Sequence, residues 1–391
     1  MVKPLPQFWK NPVEALLFVA ILLVLFGTVN VFSASFVSAG QQYHDSYFYI
    51  KRHLMVLGFG LFSLIFCAKV DYRRWKGRPL NYIMLGTLII LALVPYIGLD
   101  ANGAKRWIRL AGVNFQPSEL AKLTVVLLSA AYLGPRLNRK RSITLVSRPV
   151  IVAFIMGILV LKQPDMGTAV VIVGLCLVLY LLTGIPRQQI LFLCSSCAAL
   201  CFYLVYAAAY RAERIAAWLD PWAYQQGIGY QAVQSQLAIG SGGLFGTGLG
   251  LGSSKFYYLP EAHTDFAFAV LSQEMGFVGA LAVILLFTIL GIYGIRIALK
   301  APDGFGTILG LGLTLLIVGQ AVVNMIMVAG LIPIIGVPLP FISYGGTSLI
   351  VNLTAVGILM SIGRHALTDI PANAEKSSEP PRKRRLTLIR Q

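Results

Sequence analysis

Charge is scarce in this chain: Asp, Glu, Lys and Arg make up only 12% of the residues, against 57% that are hydrophobic. A soluble globular domain carries about twice that share of charge, so that class is excluded. Acid is scarcest, with 15 Asp and Glu set against 32 Lys and Arg. Each carboxylate therefore needs its own explanation. The cysteines offer no disulfide framework, because Cys67, Cys176, Cys194, Cys197 and Cys201 all fall in or beside apolar runs. Cys194, Cys197 and Cys201 share a helix face at i, i+3 and i+7, a pattern that suits small polarisable residues at a packing surface better than a metal or redox centre. No G-x-G-x-x-G fingerprint and no P-loop is present. No lysine completes a Ser-x-x-Lys motif, which excludes a penicillin-binding transpeptidase site of that kind.

What the chain has in abundance is apolar length. A membrane span needs about 20 apolar residues, and ten segments are read as spans, near 13–36, 54–69, 80–98, 118–134, 149–163, 167–184, 189–209, 266–296, 305–330 and 346–364. The expectation is an all-α integral membrane protein with ten transmembrane helices. The first run exceeds the roughly 7–15 residues of a signal-peptide core, so it is read as a span although Ser33-Ala34-Ser35 has the look of a cleavage site. The net charge of +17 is distributed as a membrane protein distributes it. When alternate connections are assigned to one side, that side holds 22 of the 32 Lys and Arg, which makes it cytoplasmic by the positive-inside rule. Both termini are then cytoplasmic, and residues 210–264 form a large extracellular loop between the seventh and eighth spans. Residues 1–365 are read as one membrane domain. Residues 366–391, with Pro380-Pro381 and the run Arg382 to Arg385, are read as a disordered basic tail, suited to anionic lipid or simply to solvent.

Nine cations stay on the outer side against that rule: Lys51, Arg52, Lys105, Arg106, Arg109, Lys162, Arg211, Arg214 and Lys255. An anionic visitor would account for them. Lys105, Arg106 and Arg109 surround Trp107, a composition suited to a helix in the headgroup layer or to gripping phosphate beside a sugar or lipid. Gly227 to Gly252 is glycine-rich, either an anion cradle or a re-entrant loop. Within the spans, Glu119 and Lys122 lie three apart on one helix face, and Asp165 opens another span. These ionisable groups are functional candidates, with a buried ion cluster that fixes helix register as the other reading. Pro333, Pro338 and Pro340 before Phe341 to Ser348 preclude regular helix and predict a shaped turn. Asp265 stands at the mouth of the span beginning at Phe266. It serves either as a helix cap or as a working carboxylate.

Six segments, in this order, resemble the SEDS family of polytopic cell-wall proteins, whose branches are FtsW, RodA and SpoVE. They are Gly103-Ala104-Lys105-Arg106-Trp107-Ile108, Phe115 to Lys122, Gln163-Pro164-Asp165, Ala238 to Gly243, Leu259 to Phe266, and Leu339 to Ser348. Leu219-Asp220-Pro221-Trp222 and Leu259 to Asp265 are closer to the FtsW branch than to RodA. One departure is Gln273 before Glu274, where the family more often has two acidic residues. The resemblance implies a peptidoglycan glycosyltransferase that polymerises lipid II at the outer face of the bacterial cytoplasmic membrane, in cell division, beside a class B penicillin-binding protein. It implies Asp265 as the base for the sugar hydroxyl. The residues then expected around the substrate and its pyrophosphate are Lys105, Arg106, Trp107, Arg109, Arg211, Arg214, Lys255, Glu261, His263 and Ser343, with Arg106 and Arg109 foremost. Glu119, Lys122 and Asp165 are expected as an intramembrane polar cluster. The leaving diphosphate calls for cations or a divalent ion such as Mg2+ or Mn2+, and no organic cofactor is expected. Two other classes remain open: a lipid-precursor transporter and a non-catalytic division scaffold.

Overall fold

The computed structural model describes residues 11–101, 104–110, 113–139, 143–186, 188–193, 195, 196, 199, 209–253 and 259–377. Its helices are α1 (Pro12–Tyr43), α2 (Phe48–Lys69), α3 (Arg78–Ile97), α4 (Pro117–Arg139), α5 (Arg148–Leu161), α6 (Met166–Leu182), α7 (Ala209–Leu219), α8 (Tyr230–Ser241), α9 (Ala267–Leu299), α10 (Gly304–Val328) and α11 (Gly346–Ser377). Seven of these, α1 to α4 and α9 to α11, are long and apolar enough to cross a membrane. Helices α5 and α6 are shorter apolar helices of 14 and 17 residues. The expected seventh span, with Cys194, Cys197 and Cys201, falls largely outside the described residues. Cys67 and Cys176 are free and buried.

Local sequence sets the helix starts. Asn11 caps α1 before Pro12, Asp165 caps α6 and Asp303 caps α10, each side chain accepting a backbone N–H of the first turn. Side chains and backbone tie the connections to one another at two places. At one, Asp303 accepts from Arg73 Nε at 2.9 Å and from the Tyr72 hydroxyl at 2.8 Å. At the other, Trp218 Nε1 donates to Gly330 O at 3.1 Å and Tyr344 N to His263 O at 2.8 Å. Residues 210–264 are not simply a loop, since α8 and all but the first residue of α7 lie within them. The last helix also continues to Ser377, twelve residues into the segment expected as an unstructured tail, where Ala372, Ala374, Glu375 and Lys376 favour helix.

A small sheet corrects the reading of residues 105–109 as an interfacial helix. Strands β1 (Leu99–Ala101), β2 (Ala104–Leu110) and β3 (Val113–Phe115) pair antiparallel, Leu99 opposite Trp107 and Ile108 opposite Phe115. Trp107 and Ile108 suit a strand, and the sequence offers Asn-Gly, the hairpin dipeptide, between β1 and β2.

Helix α9 is broken at Gly276, which has φ 67°. The glycine-rich stretch after α8 threads this break: Thr247 N donates to Gln273 O, Gly248 N to Glu274 O, and Phe277 N to Gly243 O. That contact, rather than an anion, accounts for the glycines. A Cβ on Gly246, itself at φ 84°, would sit 2.1 Å from Glu274 O, whereas one on Gly240 would meet nothing within 4 Å. Gly246→Ala is therefore expected to destabilise the protein by about 2–3 kcal/mol through clash and backbone strain. Gly240→Ala should be neutral or stabilise by up to about 1 kcal/mol. Thermal unfolding of the two variants in detergent checks the contrast.

Candidate active site

Asp265 lies on the segment that leads into α9, and the capping reading fails there. The N-cap of α9 is Phe266, with no side-chain cap hydrogen bond. Among the described residues nothing donates a hydrogen bond to the Asp265 carboxylate; only its backbone carbonyl is held, by Asn324 Nδ2 at 2.8 Å. The side chain opens instead into a cavity of about 410 Å3. Helix α2 contributes Tyr49 and Arg52 to its wall, strand β2 contributes Arg106 and Trp107, and Glu261 and His263 flank Asp265 itself. Gly336 and Pro338 form the opposite side, and the opening turn of α11, from Gly345 to Ser348, completes the rim.

The surroundings of Asp265 set its charge state. Burial, first, and then the charges of Glu261 and Asp165 push the Asp265 carboxyl up to about 7, with Arg106 pulling the other way. That places it where a general base for neutral pH should titrate. Burial holds His263 below the usual imidazole range, against the opposing charge of Glu261. Its ring packs 4.6 Å from Tyr49 and 5.7 Å from Tyr344, centroid to centroid. His263 thus shapes the wall by stacking, and among the described residues it makes no hydrogen bond to Asp265. Burial likewise raises the Tyr344 hydroxyl, with Arg52 opposing.

The expected site residues divide. Asp265, Arg106, Trp107, Glu261 and His263 converge on the cavity. Lys105 and Arg109 are both exposed and neither lines the cavity, so Arg109 does not share the front rank with Arg106. Arg106 also donates to the carbonyl oxygens of Gln163 and Pro164, which fixes the turn between α5 and α6 beneath the sheet. Arg214 lines a different cavity of about 580 Å3, with Trp218, Tyr230 and Gln236. That cavity is the larger, yet among the described residues no carboxylate lines it for acid–base work. The Arg211 side chain and all of Lys255 lie outside the described residues. Ser343 is a correction: its buried hydroxyl accepts from Leu339 N at 2.9 Å and staples the proline-rich turn. Arg52 and Tyr49 are the additions. Arg52 is visible in the sequence as a misplaced outer cation, while Tyr49 has no local signal.

The intramembrane cluster is also resolved into parts. Lys122 Nζ sits 2.8 Å from Glu119 Oε1, both side chains almost wholly buried. Asp165 is bound elsewhere, capping α6 through Thr168 N at 3.1 Å and Thr168 Oγ1 at 2.9 Å, with Gln116 Nε2 at 3.5 Å.

The profile of a family described as cell cycle proteins, comprising FtsW, RodA and SpoVE, matches residues 13–368. A relative from Geobacter sp. (strain M18), named probable peptidoglycan glycosyltransferase FtsW, is 42% identical over 351 residues, covering 88% of this chain and 95% of its own. Stage V sporulation protein E of Bacillus subtilis is 39% identical over 361 residues, covering 91% and 98%. Among solved structures, a chain of a peptidoglycan synthase complex that coordinates polymerization and crosslinking superposes with a TM-score of 0.73 at 29% identity, over 90% of this chain and 97% of that one. The rod shape determining protein RodA of Thermus thermophilus gives 0.64 at 28% identity, over 92% and 98%. With a match across nearly its whole length, the chain belongs to the FtsW, RodA and SpoVE family of membrane-embedded cell cycle proteins.

Proposed function

We propose that this protein is a peptidoglycan glycosyltransferase that polymerises lipid II, with Asp265 as the base. One observation carries the reading: a half-buried carboxylate, uncapped and free of hydrogen bonds among the described residues, faces a cavity that also holds two arginines. The relatives named as peptidoglycan glycosyltransferases support it. In the reaction, Asp265 takes the proton from the 4-hydroxyl of the acceptor GlcNAc. The freed oxygen attacks C1 of the donor sugar from the side opposite the diphosphate. The C1–O bond breaks, its electron pair leaves with the polyprenyl diphosphate, and the α-linked donor becomes a β-linked product. Because the leaving group is already an acidic diphosphate, no second carboxylate acid is needed. Arg52, Arg106 and the N-terminal turn of α11 meet the charge that grows on it.

A resident divalent ion does not fit the chain alone. Among the described residues no three His, Cys, Asp or Glu side chains group to hold one. The carboxylates that line the cavity among these residues are Glu261 and Asp265, so Mg2+ or Mn2+ would arrive with the diphosphate rather than wait for it. The transport reading needs ionic groups free to change partners, whereas Glu119 and Lys122 hold each other. A class B penicillin-binding protein is the partner for crosslinking, and the structural neighbour drawn from a synthase complex supports that pairing. The site faces outward, the termini lie in the cytoplasm, and the closeness to FtsW favours the division septum.

The test is polymerisation of labelled lipid II by purified protein, alone and with its class B partner. Glycan polymer is expected. Movement of lipid II across a liposome bilayer without polymer would replace this reading with transport. Within the same assay, Arg106→Glu and Arg52→Glu should each lower kcat/KM by about tenfold to a hundredfold, the range for losing a charged hydrogen bond. Arg109→Glu, at an exposed position of β2 outside the cavity, should stay within about twofold.

A further inference from the structure

Two buried amides in α10 stand outside the transfer chemistry. Asn324 is wholly buried, and its Nδ2 donates to two backbone carbonyls, Asp265 O at 2.8 Å and Val337 O at 2.7 Å. Both neighbours are acceptors, so the amide nitrogen must face them, and Asn324 Oδ1 is left buried without a partner among the described residues. A residue selected only for stability would avoid that orphan acceptor, which is costly inside a protein. One turn earlier, Gln320 repeats the pattern on the same helix face. Its Nε2 donates to Pro338 O at 2.9 Å, and its Oε1 accepts from Lys122 Nζ, which is paired in turn with Glu119.

The carbonyls held in this way belong to the two sides of the cavity. Asp265 carries the carboxylate. Val337 and Pro338 follow Gly336, which lies so close that an added Cβ would stand 3.4 Å from Asp265 Oδ2. A π-helical turn, Leu315–Gly319, immediately precedes Gln320. Such a turn inserts one residue, which rotates everything after it by about 100° relative to an uninterrupted α-helix. Both amide nitrogens thereby reach the cavity wall, while the Gln320 oxygen meets Lys122 of α4.

We propose that Asn324 and Gln320 are positioning residues for the transfer reaction, a pair of buried amides that fix the backbone of Asp265 against the wall facing it and tie that wall to the Glu119–Lys122 pair. The inference rests on Asp265 acting as the base. The buried ion pair thereby gains a role beyond packing, since Lys122 orients the Gln320 amide so that its nitrogen points at Pro338 O. Neither amide touches substrate. Their effect is on where the carboxylate stands, and a displacement of about 1 Å at a reacting group can lower a rate by about a hundredfold.

The test uses the full chain with its class B partner, lipid II as substrate, and rates normalised to folded monomer by size-exclusion chromatography. Asn324→Leu removes both donors at similar volume, Asn324→Ser keeps one shorter donor, and Gln320→Met is an apolar match for Gln320. Expected are kcat losses of about a hundredfold for Asn324→Leu, smaller for Asn324→Ser and about tenfold for Gln320→Met, each with KM within about twofold because the arginines and the cavity are untouched. Wild-type kcat per folded molecule in Asn324→Leu, or in Asn324→Ser where the leucine variant does not fold, overturns the proposal. So does a change confined to KM. Asp265→Asn runs in parallel: if it is inactive while the Asn324 variants are normal, only the positioning role falls. If Asp265→Asn polymerises normally, the base assignment falls and the positioning role with it.

Discussion

Asp265→Asn is expected to lower kcat for glycan polymerisation by about a thousandfold, within the range for removing a general base, while KM for lipid II changes little. The substitution keeps the shape and removes only the ability to accept a proton. Nothing structural should be lost with it. The carboxylate caps no helix and accepts no hydrogen bond among the described residues, and the Asn324 contact is to the backbone, which the substitution leaves in place. Kinetics of the purified variant against labelled lipid II read both constants. A kcat within about tenfold of the parent would remove Asp265 as the base.

The pH dependence follows from the same group and has a definite sign. With its carboxyl raised to about 7 by burial, Asp265 is a competent base above that pH, so the polymerisation rate should climb as pH rises from 6 to 8 and the Asn variant should lack this limb. Stability runs the other way. A carboxyl whose folded pKa exceeds its unfolded value, about 3.9, binds its proton more tightly in the native state, so its stabilising contribution is complete below about pH 4 and is lost as pH rises through 7. Above 7 the buried charge costs on the order of 4 kcal/mol, by the usual 1.36 kcal/mol per unit. Asp265→Asn is accordingly expected to unfold at a higher temperature than the parent at pH 8, with the gap narrowing toward pH 5. An inactive variant more stable than its parent is what a working carboxylate predicts and a structural one does not.

Asp265 and Arg106 are legible in the sequence because an apolar chain makes every charge conspicuous. The face on which a charge lies is less so. Lys105, Arg106 and Arg109 look equivalent until the backbone is known to be a strand, paired with Leu99 on one side and Phe115 on the other, and the local signal for that pairing is the Asn102-Gly103 dipeptide. Tyr49 reaches the cavity only because α2 packs alongside α11, a matter of helix assembly. The glycines from Gly242 to Gly252 announce a close approach but not its partner, since an anion and a broken helix ask the same thing of a backbone. Ser343 misleads for a related reason: a hydroxyl beside a binding motif reads as a ligand contact until the turn it staples is seen. Glu119 and Lys122 are paired correctly by helical spacing. Gln320, 198 residues away from Lys122, cannot be joined to them by any spacing rule.

That pair yields the largest expected loss of stability. Lys122→Met should cost about 3–5 kcal/mol, because it strands the Glu119 carboxylate, 2% exposed, among apolar helices with its cation gone. The double variant Glu119→Gln, Lys122→Met removes both charges and should recover most of that loss, as neutral replacements of buried ion pairs commonly do. Thermal unfolding in detergent distinguishes the single from the double variant. Activity should not follow stability back. Gln320 Oε1 has lost the ammonium that orients its amide in either case, so the donor to Pro338 O is no longer fixed, and kcat per folded molecule in the double variant should remain about tenfold low with KM unchanged. Recovery of kcat together with stability would mean that the ion pair sets helix register alone. A folded double variant that stays slow would mean that a charge pair buried in the membrane acts, through Gln320, on the wall facing Asp265.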